Sequence, residues 1–304
     1  MSDLTCSTGL WPIRKRSSSA PDNVGLSFVA LGLLSLVLVG CGSAPHFENG
    51  ATTSTGRDGA NALLIPVPSS TSGDATDDLL ISIIGLQANP NIREPAGWQA
   101  VVGFGGFNGA TCNSDTEGTA CQLSIFYRLS DGSETSVSFD WGVQRHAAGA
   151  VLRYSNVDTN TPIGDSRQQR GSSDSPTAPV VNTTRDGSRV LRIALAEADD
   201  AMTFLNGSLI LGEEPRTLRI NIASFPSSAA DAARGCGPPL SGCSATEAAV
   251  GLSVSDARRG STGGSGTASW NLPGGDQWLA ASIEIRRPAD HRDLLQRLLD
   301  IIDR

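Results

Sequence analysis

Few side chains in this sequence have the types and spacing that enzymatic catalysis needs. Serine-type nucleophilic catalysis uses histidine as its base, and the chain of 304 residues contains three histidines. His46 and His291 lie outside the region of strand-like patterns, and His146 is interpreted as a surface residue at a strand end. A glycosidase needs two carboxylates, and Asp140 and Glu284 are the acids that the pattern places on strands. The scarcity of such groups favours a protein that is not an enzyme.

The alternative function is a jelly-roll carbohydrate-active enzyme, either a hydrolase or a lyase. A lyase would use a basic or tyrosine side chain as its general base. The only lysine is Lys15, near the start of the chain. The two tyrosines, Tyr127 and Tyr154, fall on positions that the strand pattern turns inward. The alternative therefore lacks an obvious base.

A cation site is the sharper chemical hypothesis. Residues 156–165 read Asn-Val-Asp-Thr-Asn-Thr-Pro-Ile-Gly-Asp, and the side chains of Asp158, Asn160 and Asp165 offer oxygen ligands of the kind that calcium prefers. The segment lacks the twelfth-position glutamate of an EF-hand loop, and Pro162 stands where such a loop would continue. An Asx-rich turn, in which side-chain oxygens accept backbone amide hydrogen bonds, explains the same residues. We therefore predict no cofactor, with calcium as the weaker alternative.

Four cysteines have the number and spacing of a disulfide framework. Cys112, Cys121, Cys236 and Cys243 form an even set, as expected of an exported chain, and four cysteines allow three connectivities. Proximity favours the pairs Cys112 with Cys121 and Cys236 with Cys243. A zinc site is disfavoured because neither pair has the ligand spacing of two to four residues.

The N-terminal region has the order of an export signal. The basic cluster at 14–16 precedes an apolar run over residues 24–40, as in secretory signals. The run closes with Leu38-Val39-Gly40-Cys41, which resembles the lipobox of bacterial lipoproteins. The resemblance implies that residues 1–40 are a signal peptide that is removed, and that Cys41 then carries acyl chains such as palmitate. Two or three acyl chains are enough to hold a soluble domain on a bilayer.

An uncleaved transmembrane anchor is the other interpretation of the same run. Both interpretations place residues 42 onward outside the cytoplasm. In lipoproteins of the enteric type, an aspartate after the cysteine retains the protein in the inner membrane, whereas this chain has Gly42. The outer membrane or the cell surface is therefore the expected location, with the lipid bilayer as a partner through acylated Cys41.

The charge balance excludes one class of partner. The chain has 31 acidic and 23 basic residues, for a formal net charge of −8. Binding to a phosphate backbone needs a basic face. We therefore predict no nucleic-acid partner.

The patterns beyond the leader predict an all-β protein. Residues 41–60 have no apolar period and are predicted to be a flexible tether. Residues 61–287 contain strand-sized apolar runs between turn clusters, some with two-residue alternation, such as Val137, Phe139 and Trp141. About 10 to 12 short strands in one unit of this size predict a single antiparallel β-sandwich, similar to a jelly roll. The candidate strands are 79–86, 98–104, 122–129, 135–141, 148–154, 190–197, 208–211, 217–223, 248–254, 267–272 and 278–285. The run 79–86 is apolar on both faces and is predicted to be a central strand.

The C-terminal segment has a different period. Asp290 is suited to cap a helix, and leucines at 294, 295, 298 and 299 then fall on one face. We predict a short amphipathic helix over residues 288–304 that packs on its own domain, or else on a partner or the lipid surface.

The order of the segments repeats within the sandwich region. Residues 79–154 and 190–285 each contain two apolar runs, a cysteine-bearing loop and further strands. Trp141 and Trp270 fall at corresponding strand ends. We therefore predict an internal duplication, in which the cysteine-bearing segments 105–120 and 226–247 leave the same end of the sandwich.

Several short motifs lie along residues 64–285. They are Pro-Ala-Gly-Trp at 95–98, Phe-Tyr-Arg at 126–128, Ala-Ala-Gly-Ala-Val-Leu-Arg-Tyr at 147–154, Val-Asp at 157–158 with Pro-Ile at 162–163, Ser-Pro-Thr-Ala-Pro at 175–179 and Asp-Gln-Trp at 276–278. Together they look like a widespread β-sandwich module of exported bacterial proteins and phage tail-associated proteins, and the resemblance covers residues 64–285. It implies an adhesive or display role and carries over no catalytic residues.

Together these observations predict a lipid-anchored, extracytoplasmic β-sandwich that acts as a binding or structural display module. The expected ligand is a carbohydrate or an envelope or surface protein, consistent with a role in adhesion.

Overall fold

All of the secondary structure described is antiparallel β-structure. The computed structural model describes residues 44–56, 59–71, 73, 75–105, 109–112, 121–197, 202–205, 213–224, 250–272 and 276–289. Within these ranges no helix is long and apolar enough to cross a membrane. The strands are β1 (His46–Ser54), β2 (Ala60–Pro66), β3 (Thr76–Gln87), β4 (Gln99–Ala100), β5 (Ala110–Thr111), β6 (Cys121–Asp131), β7 (Ser136–Arg145), β8 (Ala147–Ser155), β9 (Ile163–Ser172), β10 (Thr177–Ala178), β11 (Asn182–Thr183), β12 (Arg189–Glu197), β13 (Thr203–Leu205), β14 (Thr217–Ser224), β15 (Val250–Arg258), β16 (Gly263–Gly264), β17 (Ala268–Asn271) and β18 (Gln277–Ile285).

Two large sheets contain most of these strands. Sheet I has the order β1-β8-β3-β6-β4, with β5 also paired to β6, and sheet II has the order β9-β18-β12-β15-β14. Smaller sheets consist of β2 with β7, of β10, β17 and β13, and of β11 with β16. The all-β, antiparallel class expected from the sequence is confirmed.

The two large sheets have the same topology. In each, the second of the five strands along the chain is central, and the fifth and fourth flank it. The first and third strands form the two edges. In addition, β2 pairs with β7 beside sheet I, and β10 pairs with β17 beside sheet II. Trp141 lies in β7 and Trp270 in β17, so the two tryptophans occupy corresponding strands.

One hydrophobic cluster is shared by both sheets. Its members include Leu79, Ile81 and Ile83 of β3, and Leu191, Ile193 and Leu195 of β12. Strands β3 and β8 of sheet I contact β15 of sheet II, and β6 contacts β12 and β18. The shared apolar surface therefore holds sheet I against sheet II.

The opposite faces of the two central strands are also buried. Leu80, Ile84 and Leu86 of β3 pack in a second cluster with residues of β2 and β7. Ala194 and Ala196 of β12 pack in a third cluster, which contains Trp270. Successive strand residues point to opposite faces, so a strand buried on both faces is apolar throughout. The prediction that residues 79–86 form a central strand is confirmed.

Two edge strands of the large sheets, β1 and β9, lie where the sequence predicted none, as does β2 beside sheet I. The tether prediction is wrong for His46–Ser54, which is β1 and pairs with β8 over its length. Residues 156–165 are predicted to be an Asx-rich turn and no element is predicted for residues 166–172, but Ile163–Ser172 forms β9 and pairs with β18. Both are edge strands rich in polar residues. Backbone pairing stabilises an edge strand without an apolar signature, which explains why neither was predicted.

Other boundaries differ from the expectations or lie outside the described residues. Only Gln99–Ala100 of the predicted strand 98–104 forms a regular strand, because a turn at Val102 and Gly103 interrupts the backbone bonds that Val101 and Phe104 make with Ile125. Eighteen strands occur in the described ranges, more than expected, because several pairings involve two residues. The signal peptide 1–40, Cys41, the candidate strand 208–211 and almost all of the predicted helix 288–304 lie outside the described residues.

Candidate functional site

The two strand acids that the sequence singled out are not brought together. Glu284 lies in β18 of sheet II and is fully buried. Its Oε1 accepts hydrogen bonds from the backbone N–H of Thr184 at 2.7 Å and from Ser188 Oγ at 2.8 Å. Asp140 lies exposed on β7 in a different sheet, where Oδ1 accepts a bond from the N–H of Gly142 at 2.8 Å. Asp140 thus stabilises a local turn, whereas Glu284 holds the segment 184–188 against β18.

The two tyrosines also have structural partners. Tyr154 is fully buried, and its hydroxyl donates to Asp256 Oδ2 at 3.0 Å. Burial, reinforced by the negative charge of Asp256, raises the pKa of Tyr154 well above its ordinary value of 10. The tyrosine is therefore a hydrogen-bond donor and not a base at neutral pH. Tyr127 is half-buried and donates to Gln99 Oε1 at 2.8 Å.

The calcium candidates have separate sets of protein partners. Asp158 Oδ1 accepts the N–H groups of Asn160 at 2.8 Å and Thr161 at 3.2 Å, and its Oδ2 pairs with Arg185. Asp165 lies in β9, where Oδ2 accepts bonds from Arg167 and from the N–H of Asn182. In the described part of the chain, no group of three His, Cys, Asp or Glu residues could hold a metal ion.

The geometry around Asp158 is that of an Asx turn. Burial alone would raise the pKa of Asp158, but the two amides and the Arg185 guanidinium outweigh it and lower the pKa below the ordinary value. The carboxylate thus remains charged and fixes the turn between β8 and β9.

One predicted disulfide is present. Cys112 and Cys121 are bonded, and the Cys112 N–H donates to the Cys121 carbonyl at 2.8 Å. The bond joins the end of β5 to the start of β6. Cys236 and Cys243 lie outside the described residues.

A groove opens beside this disulfide, between the two large sheets. We call it the β9 groove, and its volume is about 450 Å³. One side is the edge strand β9, and the other is the segment around β5 that leads to Cys112. Ser166 Oγ of β9 donates to the Val102 carbonyl at 3.1 Å, which ties the two sides together. The lining residues are Gly103, Gly109, Ala110, Thr111, Gln168, Gln169, Arg170 and Leu279.

The described lining of the β9 groove carries one positive charge. Arg170 is the only ionisable residue among the described residues that line it. Arg170 is exposed, and among the described residues it forms no ion pair, whereas Arg167 on the same strand pairs with Asp165 at 3.0 Å. Gln168 and Gln169 add amide groups that both donate and accept hydrogen bonds. The lining that the structure describes thus offers polar recognition groups and includes no carboxylate.

A second opening lies near Cys121 of the same disulfide. We call it the His146 cleft, and its volume is about 510 Å³. Gln87 of the lining pairs with Cys121 in the sheet register, so the cleft adjoins the disulfide. His146 is half-buried between β7 and β8, and its Nδ1 has no hydrogen-bond partner in the described structure. The lining residues are Gly59, Gln87, Gln144, Arg145 and His146.

Buried charges elsewhere have a structural role. Arg192, Glu213 and Arg216 have fully buried side chains and form a chain of ion pairs, in which Arg216 Nη2 lies 3.1 Å from Glu213 Oε2. Arg192 Nη2 also donates to the Gly266 carbonyl at 2.8 Å. Burial lowers the pKa of Arg192 to about 10, although Glu213 opposes the shift. The network is closed to solvent and cannot contact a ligand.

No family model, curated protein or solved structure matches this chain. The function therefore rests on the described residues and on the signals of the sequence. Sequence reasoning missed the β9 groove because Gly103 and Arg170 are far apart in the chain and meet only through the order of the sheets. The run Arg167-Gln168-Gln169-Arg170, without an apolar residue, was the available signal for an exposed binding edge.

Proposed function

We propose that this protein is a lipid-anchored, extracytoplasmic binding module whose ligand is a carbohydrate held in the β9 groove. The observation that carries the proposal is the lining of that groove, where amide, hydroxyl and guanidinium groups of Gln168, Gln169, Thr111 and Arg170 surround an opening of about 450 Å³. Sugar hydroxyls both donate and accept hydrogen bonds, as amides do.

The architecture suits such a role. We propose that sheets I and II, with their smaller covering sheets, form one jelly-roll-like β-sandwich that arose by internal duplication of the regions 79–154 and 190–285. The identical strand order of the two sheets and the corresponding positions of Trp141 and Trp270 support this history. A rigid scaffold of this kind lets connecting segments carry recognition residues.

Binding is preferred to catalysis because of the residue types in the groove. Acid–base chemistry on a glycoside requires a carboxylate or another proton-transfer group at the bound sugar. Among the described residues, the lining of the β9 groove contains no carboxylate, histidine, lysine or tyrosine. Asp140 and Glu284 lie in separate sheets, each with its own hydrogen-bond partners.

The anchor is part of the proposal. Its support is the order Leu38-Val39-Gly40-Cys41 after an apolar run and a basic cluster. Because the Cys41 thiol would be the acceptor of the lipid, Cys41→Ser should abolish labelling by radioactive palmitate and leave an unprocessed precursor. Persistent labelling of that variant in a Gram-negative host would contradict the lipoprotein assignment.

The binding assignment is tested by screening the full chain, purified in detergent, against a glycan array and against envelope extracts. We expect retention by a glycan class, and we expect the double variant Gln168→Ala, Gln169→Ala to lose it. Ser138→Ala is the matched control, because Ser138 is exposed on β7, away from the groove. If the double variant binds as well as the unchanged protein, the β9 groove is not the binding site. If no glycan retains the unchanged protein, carbohydrate binding is refuted.

A further inference from the structure

Resting on the proposed carbohydrate function, we propose that the β9 groove and the His146 cleft bind carboxylate groups of an acidic polysaccharide, a polyuronide, through Arg170 and Arg145. The ligand class follows from the charge, pairing and placement of the residues that line the two openings.

The first argument is the distribution of charge. The chain has more acidic than basic residues, with a formal net charge of −8. Among the described residues, neither opening has an aspartate or glutamate in its lining, and each contains one arginine. Two local positive sites on an acidic protein attract anionic ligands.

The second argument is the pairing of the arginines. Other exposed or buried arginines neutralise carboxylates, as Arg153 does with Asp78 at 3.1 Å and Arg189 with Asp256 at 2.9 Å. Among the described residues, Arg170 forms no ion pair, and Arg145 donates only to the carbonyl of Gln144 at 3.1 Å. A guanidinium group presents a planar fork that fits a carboxylate with two parallel hydrogen bonds. Each opening thus keeps a carboxylate-binding group available.

The third argument is that the two openings have the same set of groups. Each places two glutamines beside its arginine, Gln168 and Gln169 in the groove and Gln87 and Gln144 in the cleft. A uronate residue carries a carboxylate next to hydroxyls, which matches one guanidinium next to amides. A repeated chemical unit in the ligand explains a repeated set of groups in the protein.

The fourth argument is position. Thr111 of the groove precedes Cys112, and Gln87 of the cleft pairs with Cys121. Each opening therefore has a lining residue next to a cysteine of the same disulfide. Neighbouring sites of this kind bind a polymer with a carboxylate on every residue more tightly than a free monosaccharide. Once one residue of the polymer is bound, the linkage holds the next residue at a high effective concentration near the second site.

The test is calorimetric titration of the full chain in detergent with oligogalacturonate and with its methyl ester, which has the same skeleton without the charge. We expect the acid to bind and the ester to bind at least about tenfold more weakly, since hydrogen bonds to charged groups are the stronger ones. Arg170→Gln and Arg145→Gln should each weaken binding of the acid, and both together should weaken it further. Arg170→Lys should fall between Arg170→Gln and the unchanged protein, because lysine keeps the charge without the fork.

Arg93 provides the matched control. It is also exposed, lines neither opening and forms no ion pair among the described residues, so Arg93→Gln should leave binding unchanged. Equal binding of acid and ester, or equal effects of Arg93→Gln and Arg170→Gln, would overturn carboxylate recognition while leaving the carbohydrate function standing. If poly-glutamate binds as tightly as oligogalacturonate, the ligand is an acidic peptide and not a glycan, and the inference is overturned. Absence of oligogalacturonate binding alongside retention of a neutral glycan would overturn this inference alone.

Discussion

Replacing Gly85 with alanine tests how sheets I and II meet. Gly85 lies in β3, the central strand of sheet I. A Cβ atom at this position would overlap Leu195 Cδ1 of β12 and would lie 3.2 Å from Val250 Cγ1 of β15. Leu195 and Val250 are fully buried, so neither can move into solvent. The glycine therefore marks a site where the second sheet fills the space of a missing side chain.

The magnitude follows from two opposing effects. Forcing an extra methyl group into a filled core costs about 1–3 kcal/mol. Alanine also reduces the freedom of the unfolded chain, which offsets about 0.4–1 kcal/mol. We therefore expect Gly85→Ala to lower the free energy of unfolding by about 1–2 kcal/mol, measured by urea denaturation of the full chain in detergent.

A nearby glycine provides the control. Gly251 lies in β15, next to Val250, and a Cβ there would be at an ordinary 3.6 Å from Met202 Cε. Gly251→Ala should change the free energy of unfolding by no more than about 0.5 kcal/mol.

A double variant identifies the clashing group. Leu195→Ala alone should cost about 2–5 kcal/mol because it leaves a cavity. In combination with Gly85→Ala, the added methyl group occupies part of that space, so the double variant should be more stable than the sum of the single changes predicts, by about 0.5–3 kcal/mol. Additive effects, or equal effects of Gly85→Ala and Gly251→Ala, would refute the close approach of the two sheets at this point.

Three further predictions concern charges and the disulfide. Glu213→Gln leaves two buried guanidinium groups without their carboxylate, and should lower the free energy of unfolding by about 3–5 kcal/mol; a melting temperature equal to that of Glu214→Gln, an exposed neighbour, would contradict this. The pKa of Asp158 is lowered in the folded state, so its stabilising contribution is present above the ordinary value of 3.8 and is lost as the pH falls through the lower folded value. Asp158→Asn should therefore destabilise the protein at neutral pH and weaken the dependence of its stability on pH in the acid range, and an unchanged acid denaturation curve would exclude the role of this carboxylate. The double variant Cys112→Ser, Cys121→Ser should have a free energy of unfolding lower by roughly 2–3 kcal/mol, the value for closing a loop of this size. A reductant should have no further effect on this region of the variant, which lacks the bond. A disulfide map of the unchanged protein that links Cys112 to another cysteine would contradict the local pairing.

The binding surface shows why sequence patterns predict only part of the structure. The Cys112 to Cys121 pairing was predictable because short separation makes a local bond the simplest choice. The Asx turn at Asp158 was predictable because its partners lie two and three residues along the chain. The β9 groove was not predictable, because its two sides come from strands that are neighbours only in the folded protein.

The sequence by itself determined the all-β class and the central place of residues 79–86. A half-buried strand alternates apolar and polar side chains, and a strand buried on both faces is apolar throughout, so both can be recognised from residue types. The sequence did not determine β1 or β9, since an edge strand is held by backbone hydrogen bonds that any sequence can form. Only the tertiary structure decided that Arg170 and Thr111 share a groove, because sheet order, and not distance along the chain, brings an edge strand of sheet II beside a turn of sheet I.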